Sequence, residues 1–133
     1  MNILFVCKWN RFRSKVAEAI FNKINKNPRY KAQSCGFLPG LEISRDIIKA
    51  AKESGFPISK KQQGIDFKLL MWSDIIVIVA DDIPKEMFER IHQINSKKVI
   101  FLGIKDVFGA DTEKRKNTIK LIKENMEQLI GKI

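Results

Sequence analysis

The chain has 133 residues, with 25 Lys and Arg against 15 Asp and Glu, a formal net charge of +10. At 44% hydrophobic and 30% charged residues it is neither disordered nor collagen-like, and its length predicts one domain over residues 1–133. The longest apolar run, Ile75–Ala80, is far short of the about 20 residues a membrane-spanning helix needs.

Asn2–Val6 is a short apolar run, the pattern of a strand covered on both faces. From Ser14 to Asn27 the residues Val16, Ala17, Ile20, Phe21 and Ile24 mark one face of a helix, with Pro28 as its stop. Tyr30–Ser34 reads as a weaker strand. Ser44 is placed to cap a helix carrying Ile47, Ile48 and Ala51, with Gly55 just past its end. Phe67–Trp72 reads as a helical turn, and Asp74–Val79 as a strand dense in β-branched residues. Pro84–Gln93 carries Met87, Phe88 and Ile91 at helical spacing, with Asp82 available as its cap. Lys98–Leu102 is a fourth strand. Asp111 or Thr112 caps a last helix that buries Ile119, Ile122, Met126, Leu129 and Ile130. This alternation predicts an α/β fold, a four-stranded parallel sheet with helices on both faces.

Ligands bind such sheets at the carboxyl ends of the strands. That edge should hold Cys7, Ser34, Cys35, Asp81, Asp82 and Asp106. Between the first strand and first helix runs Cys7-Lys8-Trp9-Asn10-Arg11-Phe12-Arg13-Ser14. A loop of this length can turn its N–H groups inward as an anion nest at a helix N-terminus. Arg13 adds a bidentate grip on a tetrahedral oxyanion. The same positive field favours a Cys7 thiolate, an in-line nucleophile below a bound phosphate, and the Ser14 hydroxyl can steady it.

The segment resembles the signature Val-Cys-x-Gly-Asn-x-Cys-Arg-Ser of the low-molecular-weight protein-tyrosine phosphatases. The likeness continues through Ala17-Glu18-Ala19 and Ser34-Cys35-Gly36 to Asp106-Val107-Phe108-Gly109, which is similar to that family's Asp-Pro-aromatic-Gly acid loop. The resemblance implies strand order 2-1-3-4. It implies Cys7 as nucleophile, Arg13 as phosphate ligand and Asp106 as general acid, with Asn10, Ser14 and Ser34 supporting the loop and Lys8, Trp9, Arg11 and Phe12 completing it. It also implies a phosphocysteine intermediate, no metal or organic cofactor, and a phosphorylated protein or small aryl phosphate as substrate. Departures stand at Trp9 for Gly, Phe12 for the second loop cysteine and Val107 for Pro. Lys60 lies near the place where some members carry a supporting histidine.

Asp81 and Asp82 compete with Asp106 for the acid role. Trp9 and the neighbouring Lys8, Arg11 and Lys15 are expected to face an aromatic anion, Trp72 to be core and His92 to lie on a helix surface. Two readings stay open beside hydrolysis. One is a thiol-linked arsenate reductase, for which only Cys35 is available as a second thiol. The other is a phosphate-binding module without good acid catalysis. With two cysteines and no disulfide framework the cytoplasm is the expected home. The basic excess reads as a solvated surface, because no Cys/His finger, basic heptad or aromatic RNA-binding strand accompanies it.

Overall fold

The computed structural model describes residues 1–95 and 97–133, the side chains of 91–95 excepted, so the expectation for His92 lies outside the described residues. The elements run β1 (Asn2–Cys7), α1 (Arg13–Ile24), β2 (Lys31–Gly36), α2 (Arg45–Glu53), α3 (Phe67–Trp72), β3 (Ile75–Ala80), α4 (Lys85–Asn95), β4 (Lys98–Ile104) and α5 (Thr112–Lys132). The four strands pair in parallel in the order β2-β1-β3-β4. Among the described residues no helix is long and apolar enough to cross a membrane.

Alternation along the central strands divides the core. Ile3, Phe5, Ile75, Val77 and Val79 face α1, α2 and α5, where they meet Phe21, Ile47, Ile119 and Met126. Leu4, Val6, Ile76 and Ile78 face Leu69 of α3 and Phe88 of α4. Two covered faces explain why β1 and β3 read as continuous apolar runs. Trp72 is half-buried, packed on the edge of the second layer rather than inside it. Met87 of α4 is exposed, leaving Phe88 to fill the core.

Helix ends differ from expectation where polar side chains intervene. α1 stops at Ile24, ahead of Pro28, because Asn25 turns extended and its Oδ1 accepts the Asn27 N–H at 3.1 Å; such local bonds compete with helix continuation. Ser44 stands at the start of α2 but makes no capping bond, and its hydroxyl donates to the Asp46 carboxylate instead. Gly55, at φ +86°, closes α2 as expected: its N–H reaches Lys52 O and Phe56 N–H reaches Ala51 O. Asp66 caps α3 and Asp111 caps α5 through backbone N–H groups three residues on.

β4 runs two residues further than the sequence pattern suggests. The Ile104 carbonyl accepts the Asp81 N–H at 3.1 Å, across an irregularity in β3–β4 pairing. This ties the far ends of β3 and β4 together at the edge where Cys7 ends β1.

Candidate active site

Cys7 is buried at the end of β1, paired in register with Gly36 of β2. Beyond the strand, Phe37 N–H donates to Cys7 O at 3.0 Å and Leu38 N–H to Lys8 O at 2.7 Å. Both carbonyls are thereby turned toward the β2 side. In planar trans peptides the N–H groups of Lys8 and Trp9 then point the opposite way. Gly36 is required here: a Cβ would lie 2.7 Å from the backbone of both Trp9 and Asn10.

Asn10 holds the turn. It is the one described non-glycine residue at positive φ (52°), a conformation asparagine tolerates better than most residues. Its Nδ2 donates to Ser14 Oγ at 2.9 Å and Ser34 Oγ at 3.1 Å, and its Oδ1 accepts the Gln63 N–H at 2.9 Å. Ser34 passes its own proton to Glu18 Oε1 at 2.6 Å. Ser14 Oγ, which accepts from Asn10, also lies 2.9 Å from Cys7 Sγ, where its hydroxyl can donate to a thiolate. The thiol therefore sits at one end of a buried relay whose donors all have acceptors.

Arg13 opens α1 and is fully buried. Its Nη1 donates to Ile104 O at 2.9 Å, and its Nη2 to both oxygens of Asp82 at 3.1 and 3.2 Å. Asp81 lies 3.6 Å from the guanidinium and Asp106 Oδ2 lies 3.7 Å from it. Asp82 was expected to cap the helix after Pro84; its carboxylate turns instead to this arginine, and α4 begins only at Lys85. A buried guanidinium outcompetes a helix end for the carboxylate because it offers a charge-assisted fork.

Asp106 is held at both oxygens. Oδ1 accepts the N–H of Val107 at 2.9 Å and lies 3.7 Å from Nη1 of Arg115, while Oδ2 faces Arg13. Val107 is buried and Phe108 is exposed beside it. The acid-loop residue, the thiol and the loop arginine thus converge on one sheet edge, as the strand pattern predicted.

The other loop residues divide. Trp9 is half-buried, with the Lys8 ammonium 4.9 Å from its ring centroid. Arg11 donates to Glu42 O at 2.9 Å. Phe12 belongs to the core, its ring stacked under the Arg115 guanidinium at 4.7 Å. Lys15 is not a surface cation. It is buried, donating to Ser59 Oγ at 3.2 Å and to Lys61 O, and burial pulls its amine below the ordinary 10.5 against the opposing pull of Glu18 and Cys7. Lys60 is exposed; Gln63 supports the loop in its place, adding an Nε2 bond to Ser34 O at 2.8 Å. Cys35 is wholly buried, and its thiol is pushed far up by burial first and then by Cys7 and Asp66.

Sequence reasoning passed over Gln63 and Arg115, and took the buried Lys15 for a substrate-facing cation. Arg115 had a signal. It stands four residues before Ile119 on the stripe of Ile122, Met126 and Leu129, where a surface cation would not fall.

The sequence model described as "Low molecular weight phosphotyrosine protein phosphatase" matches residues 2–133. The chain belongs to this family. No curated protein sequence matches it significantly. Among solved structures it is similar to a low molecular weight protein tyrosine phosphatase from T. tengcongensis, at 24% identity over 100% of this chain and 99% of that one, TM-score 0.83. It is likewise similar to the YwlE arginine phosphatase from Geobacillus stearothermophilus, at 20% identity over 98% and 91%, TM-score 0.84. An arsenate reductase from Archaeoglobus fulgidus aligns at 25% identity over 97% and 98%, TM-score 0.74. The low molecular weight phosphatase fold is thus shared by a tyrosine phosphatase, an arginine phosphatase and an arsenate reductase. As a member of the family the protein is a hydrolase of phosphate monoesters, of the phosphotyrosine type, working through a phosphocysteine.

Proposed function

We propose that Cys7 is the nucleophile of this phosphatase, Arg13 the ligand of the transferring phosphoryl group and Asp106 the general acid. The observation that carries the reading is the Ser14 hydroxyl, 2.9 Å from Cys7 Sγ and left with a proton to donate by its bond from Asn10. A hydroxyl donor at that distance stabilises a thiolate, as nucleophile in the first step and leaving group in the second.

In the first step the S–P bond forms as the ester P–O bond breaks, and the Asp106 proton passes to the leaving oxygen. In the second, water attacks phosphorus, gives a proton to the Asp106 carboxylate, and the S–P bond breaks to return Cys7 and inorganic phosphate. Lys8, Trp9, Arg11 and Phe12 carry the intervening N–H groups, and Arg13 adds charge to stabilise the equatorial oxygens. Asn10, Ser14 and Ser34 fix the loop shape. Asp106 is preferred to Asp81 and Asp82 because Asp82 is committed to Arg13 and Asp81 is more open to water.

Burial of Cys35 favours hydrolysis over thiol-linked arsenate reduction, which needs a second thiol able to ionise and attack. The hold on Asp106 favours an enzyme over a binding module. The substrate is a phosphorylated protein or small aryl phosphate, handled in the cytoplasm by this one domain without metal.

The test is nitrophenyl phosphate hydrolysis with a chelator present. A burst of nitrophenol matching the enzyme concentration followed by slower turnover is expected, with Cys7→Ser at background. Wild-type activity in Cys7→Ser would overturn the nucleophile assignment.

A further inference from the structure

Arg115 belongs to none of the roles above, yet it is among the most buried charged residues of the chain. Its Nε donates to Asp46 Oδ2 of α2 at 3.0 Å, its plane lies over Phe12, and its Nη1 comes within 3.7 Å of Asp106 Oδ1. That Nη1 is buried and has no hydrogen-bond partner. A buried guanidinium nitrogen without an acceptor costs free energy. Asp106 Oδ1 lies 3.7 Å from it, so a movement of about 1 Å would make the bond, given the usual 2.7–2.9 Å of a charge-assisted contact.

The two oxygens of Asp106 are therefore unequal. Oδ1 already accepts the Val107 N–H and lies 3.7 Å from the Arg115 cation, whereas Oδ2 lies 3.7 Å from Nη2 of Arg13, the arginine of the phosphate loop. An oxygen with a donor on it cannot also carry the acidic proton at low cost. A proton on Asp106 consequently resides on Oδ2.

We propose that Arg115 is a positioning residue for the general acid: with the Val107 N–H it occupies Oδ1, directs the transferable proton to Oδ2, and receives the carboxylate left after the proton has gone. Val107 makes half of this arrangement possible, because proline at that place would have no N–H to give. Asp46 anchors the other half, and a cation–π contact, Cζ 4.7 Å from the Phe12 ring centroid, holds the guanidinium beside the phosphate loop. The inference rests on Asp106 being the acid.

The experiment compares phenyl phosphate, whose leaving group has a pKa near 10 and needs the proton, with nitrophenyl phosphate, whose leaving group departs largely without it. Asp106→Asn serves as control. Arg115→Met is expected to slow phenyl phosphate about tenfold, a part of the roughly 10²–10⁴-fold that a general acid supplies, and nitrophenyl phosphate less than about twofold. Inhibition by inorganic phosphate should be unchanged, and Arg115→Met should add nothing in the Asp106→Asn background. Arg115→Lys keeps the charge but cannot span Asp46 and Asp106, and a smaller loss with the same leaving-group bias is expected. It also decides the matter if Arg115→Met does not fold.

Equal slowing of both esters in the Arg115 variants, or no slowing, overturns the proposal while a biased Asp106→Asn leaves the acid assignment standing. An unbiased Asp106→Asn overturns the acid assignment itself.

Discussion

The two loops that make the site are held by different forces. The turn of the phosphate loop, residues 7–10, is fixed by neutral hydrogen bonds: Asn10 to Ser14 and Ser34, Gln63 to Asn10, and two carbonyls to the extension of β2. The acid loop after β4 is held mainly by charge, with Asp106 between two buried guanidinium groups and bound to a single N–H. Neutral bonds at 2.7–3.1 Å define a shape and change little with protonation. Ion pairs at 3.7 Å define a neighbourhood, and they respond when a proton moves. The first arrangement suits a cradle that must be preorganised, the second the proton-transferring role proposed for Asp106.

The comparison breaks hardest at Asn10. Asn10→Ala removes three buried hydrogen bonds and leaves alanine at φ 52°. Each lost bond that strands a buried partner costs about 1–3 kcal/mol. Phosphate affinity and the rates on both esters should fall together, with a lower thermal midpoint. Asn10→Gly accepts the same φ without strain and should recover stability in part and the cradle hardly at all. A glycine variant with wild-type phosphate inhibition would mean the side-chain bonds do not shape the loop.

Gly36→Ala attacks the same cradle from β2. The added methyl meets the backbone of Trp9 and Asn10 at 2.7 Å, a contact no rotamer relieves, and overpacking of this kind costs about 1–3 kcal/mol. Weaker inhibition by phosphate is expected, with the phenyl-to-nitrophenyl rate ratio unchanged, since the acid loop is untouched. A change in that ratio would show the two loops to be mechanically one.

How far each loop could be read from the sequence follows the same division. The cradle is local: strand, eight-residue loop and helix are contiguous, and the roles expected of Cys7, Arg13 and Ser14 are suggested by their spacing, that of Asn10 by the family resemblance. Its outer supports are not local. Gln63 arrives from a segment without periodicity, and Lys15 looks like any surface lysine until Ser59 and the Lys61 carbonyl close over it. The acid loop was legible as Asp106 but not as a network. Asp46, Arg115 and Asp82 lie on three elements far apart in the chain, and only the sheet order brings their charges together. Strand and helix cores were legible because burial on two faces leaves a periodic trace. A buried ion pair leaves none, except where, like Arg115, it interrupts an apolar stripe.

Acid should expose the charged side of the comparison. Burial alone would raise the Asp46 carboxyl, but bonds from Ser44 and Arg115 outweigh it and bring it below its ordinary 3.8. A carboxyl lower in the folded state contributes stability that is complete above its unfolded value and is lost as pH falls through the folded one. Denaturant midpoints of the wild type should therefore drop more steeply below about pH 4 than those of Asp46→Asn, the two curves converging at the acid end. Curves that stay parallel would mean that Asp46 does not discharge in this range and that its bond to Arg115 is not the acid-sensitive tether.

The smallest effect is expected at Val107, and it measures how the hold on Asp106 is shared. Val107→Pro deletes the N–H that donates to Oδ1 at 2.9 Å but fixes φ at the loop's tightest point and confines Asp106 to extended backbone. One net hydrogen bond is worth about 0.5–1.5 kcal/mol, and the stiffer backbone offsets part of it. With Arg115 still facing Oδ1, the proton keeps its preference for Oδ2, and phenyl phosphate turnover should change by no more than about threefold in either direction. The double variant with Arg115→Met removes both donors from Oδ1 and should lose more than the product of the single losses, because in each single variant the remaining donor keeps part of the bias. Losses that simply multiply would mean that the two donors act independently. A Val107→Pro loss as large as that of Arg115→Met would place the hold in the backbone N–H, making the acid loop as neutral in its fastening as the phosphate loop.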